Sequence, residues 1–427
     1  MKILLTHAYS KDNKGDAAII SVLLKQLDNA FSAREISILI YDDDTKYRNF
    51  KGLKFLSNSM YISVYRFRNP IFRAVYLLYI ELSLLLWALF YRIFGYSVTS
   101  VLPRNTRNIA NEYLESDLFV PVGGGYLKAK KGILENVNIL LLLNPIIIGI
   151  LLKKPIILYT QSIGPFATAF QEWITRVVLN KTQHIFVRED YTIATLERIG
   201  VRTNLVTRTT DAGFLFESDK EICLSDYLKN NDPLKLKPLV GITVRKWLKQ
   251  KEQDKFEKEM ALFIDVITKE RDVWIIFIPQ VTSTVHNDDD RDVATRIVNL
   301  VTNKQDVINC TGNYDHYELK KLYSSLDYLV GTRFHSVIFS LTSYVPVLVI
   351  EYEYKAGGIM KDLGLSEWVI SMEKVTKDNL YEKFRQLINE GDIYKQKLQN
   401  VLPEYILKAK EVENHMKEVY FTFKYSE

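Results

Sequence analysis

The stretch Asp327-Tyr328-Leu329-Val330-Gly331-Thr332-Arg333-Phe334-His335-Ser336 has the pattern of a buried strand, a glycine-led loop and a short helix. Apolar residues predict the strand at Tyr328–Val330 and the helix from about Ser336, and a second apolar run predicts another strand at Val345–Ile350. In an open α/β sheet, ligands bind beyond the carboxyl ends of the strands, where a helix start also offers N–H groups to an anion. The sequence therefore predicts a ligand site at this loop.

Two side chains of this loop can serve an anionic substrate that needs proton transfer. Residues two apart in an extended loop point the same way, so we expect Arg333 and His335 to face the ligand while Phe334 turns into the core. A surface arginine and a hydrogen-bonded histidine would also fit the loop taken alone. Tyr352 and Lys355, which follow the next strand, favour the functional interpretation because adjacent strand ends share one edge of the sheet.

Length and composition limit the class of protein. The 427 residues exceed one comfortable hydrophobic core, so we expect two domains. A chain that is 47% hydrophobic and 25% charged is globular, and its net charge of +5 is too small to indicate nucleic-acid binding. Cys223 and Cys310 form no disulfide or metal pattern, which predicts a reducing cytoplasm. We expect no metal and no cofactor.

The order of predicted elements indicates an α/β fold with parallel sheets, because strands alternate with helices along most of the chain. We expect a Rossmann-like N-terminal domain over residues 1–217 and a polar linker over 218–238. A second Rossmann-like domain is expected over 239–395, and the C-terminal helix over 396–427 can pack back on the first domain.

Polar or glycine-containing loops follow the predicted strands of both domains. At Asn13–Asp16, Gly15 permits close approach of a ligand and Asp16 suits the cap of the next helix, although a capped helix without a ligand would look the same. The candidates for substrate contact in the first domain are Asn13, Gly15, Asp16, Gly124, Gly125, Gln161, Ser162, Arg188 and Asp211. Those in the second domain are Arg245, Gln280, Gly331, Thr332, Arg333, His335, Ser336, Tyr352 and Lys355.

An insertion at about residues 66–98 interrupts the βα pattern. It is rich in Leu, Ile and aromatic residues, and arginines surround it. A membrane span needs about 20 apolar residues, but Glu81 near the middle makes crossing unfavourable. We expect the segment to lie in a membrane interface with its arginines on lipid phosphates. The alternative is a helical hairpin packed against the first domain or a dimer partner.

The ordered set of loops resembles the polysaccharide pyruvyl transferase family. The matching motifs are Asn13-Lys14-Gly15-Asp16, Val122–Gly125, Gln161–Pro165, Val187–Glu189, Asp211, Gly331–Ser336 and the tail from Lys355 to Leu365. The segment 351–360 is most similar to the bacterial exopolysaccharide branch, which includes colanic-acid-like enzymes. Phe334 departs from the smaller aliphatic residue usual between Arg and His, and the insertion at 66–98 lies outside the shared pattern.

The resemblance implies two Rossmann-like domains facing a cleft, a GT-B-like fold, and the transfer of pyruvate from phosphoenolpyruvate onto two hydroxyls of one sugar as a cyclic ketal. Phosphoenolpyruvate needs at least two cationic partners, for which Arg333 and Arg245 are the candidates and Lys355 a third. His335 stands in the family's Arg-x-His motif and can protonate the methylene carbon or deprotonate the incoming hydroxyl. Side chains of the first domain would orient the sugar.

Two other functions fit the same sequence. A nucleotide-sugar glycosyltransferase of this fold would use Glu351 or Glu353 as a ribose ligand, and a non-catalytic subunit would only bind glycan or lipid. The expected partners are phosphoenolpyruvate as co-substrate, a sugar acceptor on a lipid carrier or in soluble or polymerised form, a membrane surface and a second copy of the chain. We expect a cytoplasmic enzyme peripherally associated with the inner face of the plasma membrane.

Overall fold

The computed structural model describes residues 1–8, 10–32, 35–44, 52–221, 237–283 and 288–426, without the side chains of residues 60, 64 and 65. The chain forms two compact units. Unit 1 contains Met1–Ser10, Ile19–Ala212 and Lys408–Glu427, and unit 2 contains Lys11–Ala18 and Gly213–Leu407. The loop at residues 11–18 therefore belongs to unit 2, whereas the sequence placed it in the first domain. Most of the expected linker, residues 222–236, lies outside the described residues.

Unit 1 is built on parallel β-strands whose residues are mostly buried. Its strands are β1 (Lys2–Ala8), β2 (Glu35–Ile40), β3 (Leu53–Ser57), β4 (Leu118–Pro121), β5 (Ile157–Gln161), β6 (His184–Val187) and β7 (Val206–Arg208). They pair in the orders β3-β2-β1-β4 and β5-β6-β7. A parallel bridge between Phe119 and Ile156 joins the two groups.

Helices cover these strands and supply the apolar side chains of the core. They are α1 (Lys14–Phe31), α2 (Ser59–Arg66), α3 (Pro70–Phe94), α4 (Arg107–Glu115), α5 (Ile133–Leu151), α6 (Ala169–Leu179) and α7 (Asp190–Ile199). Ile80 and Trp87 of α3 pack in the same hydrophobic core as Ile139 and Leu143 of α5.

Unit 2 repeats the alternation of strands and helices. Its strands are β8 (Leu239–Thr243), β9 (Trp274–Phe277), β10 (Thr282–Ser283), β11 (Asp288–Asp289), β12 (Val307–Asn309), β13 (Tyr328–Gly331), β14 (Val347–Glu351) and β15 (Val369–Ser371). Its helices are α8 (Gln250–Arg271), α9 (Asp290–Leu300), α10 (His316–Ser324), α11 (Phe334–Leu341), α12 (Tyr354–Asp362), α13 (Lys377–Asn389) and α14 (Gly391–Lys410), after which α15 (Val412–Ser426) belongs to unit 1. The main sheet has the order β12-β9-β8-β13-β14-β15, and β10 and β11 form a separate antiparallel ribbon.

Both sheets reverse their strand order at the equivalent position. In unit 1 the reversal lies between β1 and β4, where Thr6 pairs with Pro121. In unit 2 it lies between β8 and β13, where Thr243 pairs with Gly331. Ligands of doubly wound sheets bind outside the strand ends at such a switch point. The predicted α/β fold with Rossmann-like parallel sheets is confirmed, and each unit contains one switch point at which a site can form.

Candidate active site

The loop after β13 is held against the end of β8 by a set of buried hydrogen bonds. The hydroxyl of Thr243 accepts from the backbone N–H groups of Thr332 (3.0 Å) and Arg333 (3.3 Å), and the Thr332 hydroxyl donates to the Thr243 carbonyl (2.9 Å). The Ser336 hydroxyl donates to the Arg333 carbonyl (2.6 Å). Thr332 and Ser336 thus fix the shape of the loop with their side chains. Direct contact of Gly331, Thr332 and Ser336 with a substrate stays a prediction.

Helix α11 begins at Phe334, earlier than the expected start at about Ser336. Arg333 is therefore the last extended residue and His335 is already helical, so the two-residue alternation of an extended loop does not apply. Arg333 is only 5% exposed, and Phe334 is half-buried beside the His335 ring instead of lying in the core. The expectation that Phe334 lies in the core is wrong because the helix starts two residues early, and the expectation that Arg333 and His335 face a ligand stays a prediction.

The guanidinium of Arg333 is enclosed by two carboxylates. Its Nε donates to Asp290 Oδ1 (2.9 Å), and its Nη2 donates to Asp288 Oδ1 and Asp290 Oδ1 (2.5 Å each). Burial lowers the pKa of Arg333, but the charges of Asp290 and Asp288 outweigh that effect and raise its pKa above the ordinary value. Asp290 also accepts the backbone N–H groups of Gln280 (2.9 Å) and Val281 (3.0 Å). Arg333 consequently ties the loop after β13 to the β10–β11 ribbon.

The imidazole of His335 rests on the backbone of Gly15. A Cβ atom added to Gly15 would lie 1.9 Å from His335 Nδ1 and 2.3 Å from its Cγ, so no larger residue fits there. The His335 side chain is half-buried at the second position of α11. The glycine that the sequence singled out for close approach of a ligand therefore provides close approach of the histidine.

The loop that carries Gly15 is rigidly capped. Asn13 Oδ1 lies 3.2 Å from the N–H nitrogen of Gly15 and 3.4 Å from that of Asp16, and Asn13 Nδ2 donates to Asp16 Oδ2 (2.7 Å). Asn13 rather than the predicted Asp16 thus caps α1, which begins at Lys14. The N–H of Lys14 donates to the Gln280 carbonyl (3.2 Å), which fastens the loop to unit 2.

Arg245 extends the cationic side of the site. It comes two residues after Thr243, and its guanidinium carbon lies 4.9 Å from the ring centre of Trp247 and 4.4 Å from that of Tyr352. Its Nη2 is 3.5 Å from Asp288 Oδ2, and its buried Nε has no hydrogen-bond partner among the described residues. Among the described residues, this long contact is the only ion pair of Arg245. Its charge is offset less than that of Arg333, which pairs closely with two carboxylates, so Arg245 is the better anion ligand.

Other second-domain candidates surround this centre. Gln280 is buried and accepts from the Tyr323 hydroxyl (2.9 Å), while its Nε2 finds no acceptor within the described part of the chain. Lys355 Nζ lies 3.5 Å from Glu353, so part of its charge is offset locally. Glu351, the ribose ligand of the glycosyltransferase alternative, accepts the N–H of Gly357 (2.8 Å), and burial raises the pKa of its carboxyl group.

Several residues of this site were not among the sequence candidates. Asp288 and Asp290 gave no local signal of their pairing with Arg333. Of the three aspartates at 288–290, Asp289 caps α9 by accepting from the Arg291 N–H (3.0 Å). Trp247 could have been found as an aromatic residue two positions after a candidate cation. Lys14 gave no separate signal; it is buried, its Nζ donates to Asn313 Oδ1 (3.1 Å), and burial lowers its pKa.

The first-domain candidates that lie in unit 1 bind one another. Gln161 is fully buried and donates to the carbonyl of Val122 (2.8 Å) and to the hydroxyl of Tyr126 (3.1 Å). Its backbone bridges Gly124, next to Gly125. A second cluster joins Arg188 to the Ser162 hydroxyl (2.7 Å), to Glu189 (3.1 Å) and to Asp211, and all four side chains are buried. These side chains brace loops, and their contact with a sugar stays a prediction.

The switch point of unit 1 carries a histidine that the sequence reading passed over. His7 Nε2 donates to the Leu142 carbonyl (2.7 Å), and the Thr6 hydroxyl lies 2.9 Å from Nδ1. The ring stacks on Tyr126 at 4.4 Å, and burial lowers the pKa of His7 to about 4. Because a carbonyl can only accept, Nε2 carries a proton, and the lowered pKa favours the neutral imidazole near pH 7.

The chain is similar to known proteins over nearly its whole length. The curated amylovoran biosynthesis protein AmsJ of Erwinia amylovora is 25% identical over 424 residues, which are 95% of this chain and 97% of that protein. Among solved structures, Anabaena Alr3699/HepE in complex with UDP-glucose has a TM-score of 0.59 at 12% identity and covers 99% of this chain and 100% of that one. The Neisseria meningitidis UDP-GlcNAc 2-epimerase bound to UDP-GlcNAc gives a TM-score of 0.58 at 11% identity, covering 99% and 100%.

At these identities the structural matches concern the fold alone, and they confirm the predicted GT-B-like class of two Rossmann-like units. The sequence profile described as polysaccharide pyruvyl transferase matches residues 13–354, which include both the Asn13–Asp16 loop and the Arg333–His335 motif. The chain therefore belongs to the polysaccharide pyruvyl transferase family.

Proposed function

We propose that this transferase moves pyruvate from phosphoenolpyruvate onto two hydroxyls of a sugar in a bacterial surface polysaccharide or its lipid-linked precursor, forming a cyclic ketal. The observation that carries the proposal is the meeting of two guanidinium groups on Asp288 at the switch point of unit 2. His335 projects from the helix that starts directly after one of them. Family membership and the exopolysaccharide relative support pyruvyl transfer in polysaccharide synthesis.

The donor is held mainly by Arg245 in this proposal. Phosphoenolpyruvate carries a phosphate and a carboxylate, either of which matches the planar fork of an arginine. The 3.5 Å contact between Arg245 and Asp288 is long, so an anion can replace the carboxylate at Arg245. Arg333 stays hydrogen-bonded to Asp290 (2.5 Å), which preserves the loop when the anion displaces Asp288 from Arg245. The role of Arg333 is thus to position the anion site, with Lys355 at its edge.

The proton moves through His335. The imidazolium gives a proton to the methylene carbon of phosphoenolpyruvate, which becomes a methyl group as positive charge develops at the adjacent carbon. A sugar hydroxyl adds to that carbon and returns its proton to the imidazole. The bond from the carbon to the phosphate oxygen then breaks, phosphate leaves, and the second hydroxyl closes the ketal while its proton passes to phosphate. Acid and base work by one histidine requires a fixed ring, which the Gly15 backbone provides.

Labelled donor tests the proposal directly. Phosphoenolpyruvate carrying carbon label in the pyruvyl group is incubated with the protein and a panel of lipid-linked and free sugars. We expect pyruvate incorporation and phosphate release in equal amounts, both dependent on an acceptor. Phosphate release without incorporation, or consumption of UDP-glucose in its place, would contradict the proposal.

The variant Arg245→Lys sharpens the assignment of the donor site. We expect the KM for phosphoenolpyruvate to rise about tenfold or more, because an ammonium loses both the bidentate fork and the stacking on Trp247 and Tyr352. Lys246→Met, which removes the neighbouring exposed cation, is the matched control and should leave that KM within about twofold. Equal effects of the two substitutions would remove Arg245 from the donor site.

A further inference from the structure

A cavity of about 260 Å³ opens beside the carboxyl ends of β14 and β15 in unit 2. Trp247 and Tyr352 line one side of it, and their ring centres are 4.7 Å apart. Trp247 is 42% exposed, which is high for the largest apolar side chain. An apolar, solvent-facing aromatic surface in a concave site is a platform for a ligand with a flat or weakly polar face.

The charge of this cavity restricts its ligand. Glu351, Glu353 and Glu373 line it, and none of the described lining residues is cationic. Carboxylates only accept hydrogen bonds when ionised, so they suit a ligand rich in hydroxyl donors. The same carboxylates repel the phosphate of phosphoenolpyruvate and the diphosphate of a nucleotide sugar. The cavity therefore fits a neutral polyhydroxylated ring.

We infer that this cavity is the acceptor subsite and binds one neutral sugar ring of the glycan; the inference rests on the proposed function. The aromatic pair that lines the cavity is also the pair on which the Arg245 guanidinium lies, at 4.9 and 4.4 Å. Donor and acceptor sites thus share Trp247 and Tyr352, which brings a bound sugar close to the anion held by Arg245. We therefore assign the acceptor site to unit 2, whereas the sequence predicted acceptor contacts in the first domain.

Saturation-transfer NMR with methyl glycosides of glucose, galactose and mannose tests the subsite without any donor. We expect at least one glycoside to bind, and Trp247→Ala to weaken that binding about tenfold or more. Trp173→Ala, which removes an exposed tryptophan of unit 1, is the matched control and should bind like the unchanged protein. Ser371→Phe fills the cavity from β15 without removing an aromatic side chain, and it should also abolish binding while phosphoenolpyruvate still binds.

Three results would overturn the subsite: no methyl glycoside binds, Trp247→Ala and Trp173→Ala behave alike, or Ser371→Phe binds as the unchanged protein does. Glycoside binding with no pyruvate incorporation would refute the proposed function and leave the subsite standing. If Ser371→Phe still incorporates pyruvate as the unchanged protein does, the subsite would be refuted and the proposed function would stand.

A separate observation concerns the outer face of α3 in unit 1. Large apolar residues at helical spacing, namely Ile71, Phe72, Val75, Leu82, Leu86 and Ile93, are between 56% and 70% exposed. Ile133 and Leu134, at the start of the contacting helix α5, are each 83% exposed. A helix that is apolar on all sides requires an apolar environment on all sides, so this outer face requires a partner.

The inner face of α3 packs against the rest of unit 1, which favours a helix that lies along a bilayer surface over one that crosses it. By length and composition α3 and α5 could each span a membrane. However, Ile80, Leu84 and Trp87 of α3 are buried in the core of unit 1. Glu81 accepts from Asn144 Nδ2 of α5. The acidic side chain is thus directed into the protein, and only the opposite face is available to a partner.

The surrounding charge identifies that partner. Residues 66–107 contain six arginines and a single acidic residue, the inward-facing Glu81. Arg66, Arg68, Arg92, Arg104 and Arg107 are exposed. Lys130 and Lys131, beside the exposed start of α5, are exposed as well. A second copy of the chain would bring the same positive surface against itself, which is unfavourable in a two-fold contact. Anionic lipid head groups complement both the charge and the apolar residues.

We propose that α3 lies flat in the interface of an anionic bilayer with its outer face among the acyl chains. Co-sedimentation with vesicles of phosphatidylcholine alone and with added phosphatidylglycerol tests this surface. We expect binding only to the anionic vesicles, weakened about fivefold for each arginine among Arg92, Arg104 and Arg107 that is changed to Gln. Alkaline carbonate should release the protein.

The triple variant Phe72→Ser, Leu82→Ser and Leu86→Ser should weaken vesicle binding at least tenfold. Its matched control carries Leu262→Ser, Leu300→Ser and Ile393→Ser, which remove exposed apolar residues of unit 2 and should bind as before. Equal binding by both variants, carbonate-resistant insertion, or a dimer that the triple variant dissociates without any vesicle binding would each overturn the proposal.

Discussion

The two switch points of the molecule share one strand order and differ in chemistry. In unit 2 the loops after β8 and β13 carry two arginines and a histidine that abuts a glycine backbone. At the switch point of unit 1, three glycines follow β4, and β1 carries His7, whose ring is hydrogen-bonded to the Leu142 carbonyl and stacked on Tyr126. The fold therefore provides two positions for a site, and among the described side chains those in unit 2 are better suited to an anion.

The two units also use their buried arginines differently. Arg188 in unit 1 is matched by Glu189 and Asp211 within a closed cluster. Arg333 in unit 2 is matched by Asp290, but its second carboxylate, Asp288, also contacts Arg245. A shared carboxylate can be exchanged for a ligand, whereas a closed cluster can only be broken at the expense of stability. By this difference we assign Arg333 a positioning role and Arg188 a structural one.

Replacing the histidine at each switch point should distinguish the two switch points most clearly. We expect His335→Gln to lower kcat by about 100- to 10,000-fold, because the proton donor for the methylene carbon is lost. Thermal unfolding should change little, since the side chain is half-buried. His7→Gln is the matched control in unit 1 and should keep kcat within about threefold. A kcat that depends equally on both histidines would contradict the assignment.

The closed cluster of unit 1 can be opened with Arg188→Met. We expect the free energy of unfolding to fall by about 3 to 5 kcal/mol, because Asp211 and Glu189 are left buried without their counter-charge. Denaturant unfolding followed by circular dichroism measures this loss. At temperatures where the variant stays folded, its KM for phosphoenolpyruvate should equal that of the unchanged protein. A raised KM without loss of stability would place Arg188 in a substrate site instead.

Gly15→Ala tests the fixed position of the imidazole. We expect kcat to fall about 10- to 100-fold, because the new methyl group overlaps His335 and must displace its ring by an ångström or more. Gly358→Ala, in the same unit, is the control, since a Cβ there meets no atom within 4 Å. Comparable activity of the two variants would show that His335 does not need the support of the Asn13–Asp16 loop.

Acidification should affect the stability of unit 1 through its buried histidines. The pKa values of His7 and His184 are lowered from 6.5 to about 4 by burial, so between these values only the unfolded chain binds the protons. Stability is therefore present above pH 6.5 and is lost as the pH falls towards 4. We expect His7 to account for about 1 to 3 kcal/mol of that loss. Denaturant titrations at several pH values measure the free energy of unfolding. As the pH falls, it should decline less steeply for His7→Gln than for the unchanged protein.

Local pattern sufficed for β13 and for the loop that follows it. The apolar run before Gly331 predicted β13, whose observed bounds are Tyr328–Gly331, and the polar residues after it marked the switch point. The start of α11 was misplaced because the conformation of Arg333 depends on Asp288 and Asp290, more than 40 residues earlier in the chain. No local signal connects these residues.

The Asn13–Asp16 loop shows the same limit. Gly15 was recognised as a site of close approach, but its contact with His335 was not. The loop is fixed by a backbone bridge between Asn13 and Val281, which are far apart in the sequence. The cap was assigned to Asp16 although Asn13, three residues earlier, is an equally good capping residue. Sequence pattern therefore predicted part of the candidate site, and long-range pairing determined which of its residues meet.

That bridge also has a consequence for how the gene can be cut or recombined. Unit 2 is not one continuous segment, since residues 11–18 belong to it together with 213–407. A fragment that starts at residue 213 omits the glycine against which the imidazole rests. A chimera made with a single crossover between two homologues would combine the histidine of one parent with the supporting loop of the other. When halves are exchanged among relatives, the first 18 residues and the second half therefore have to come from the same parent.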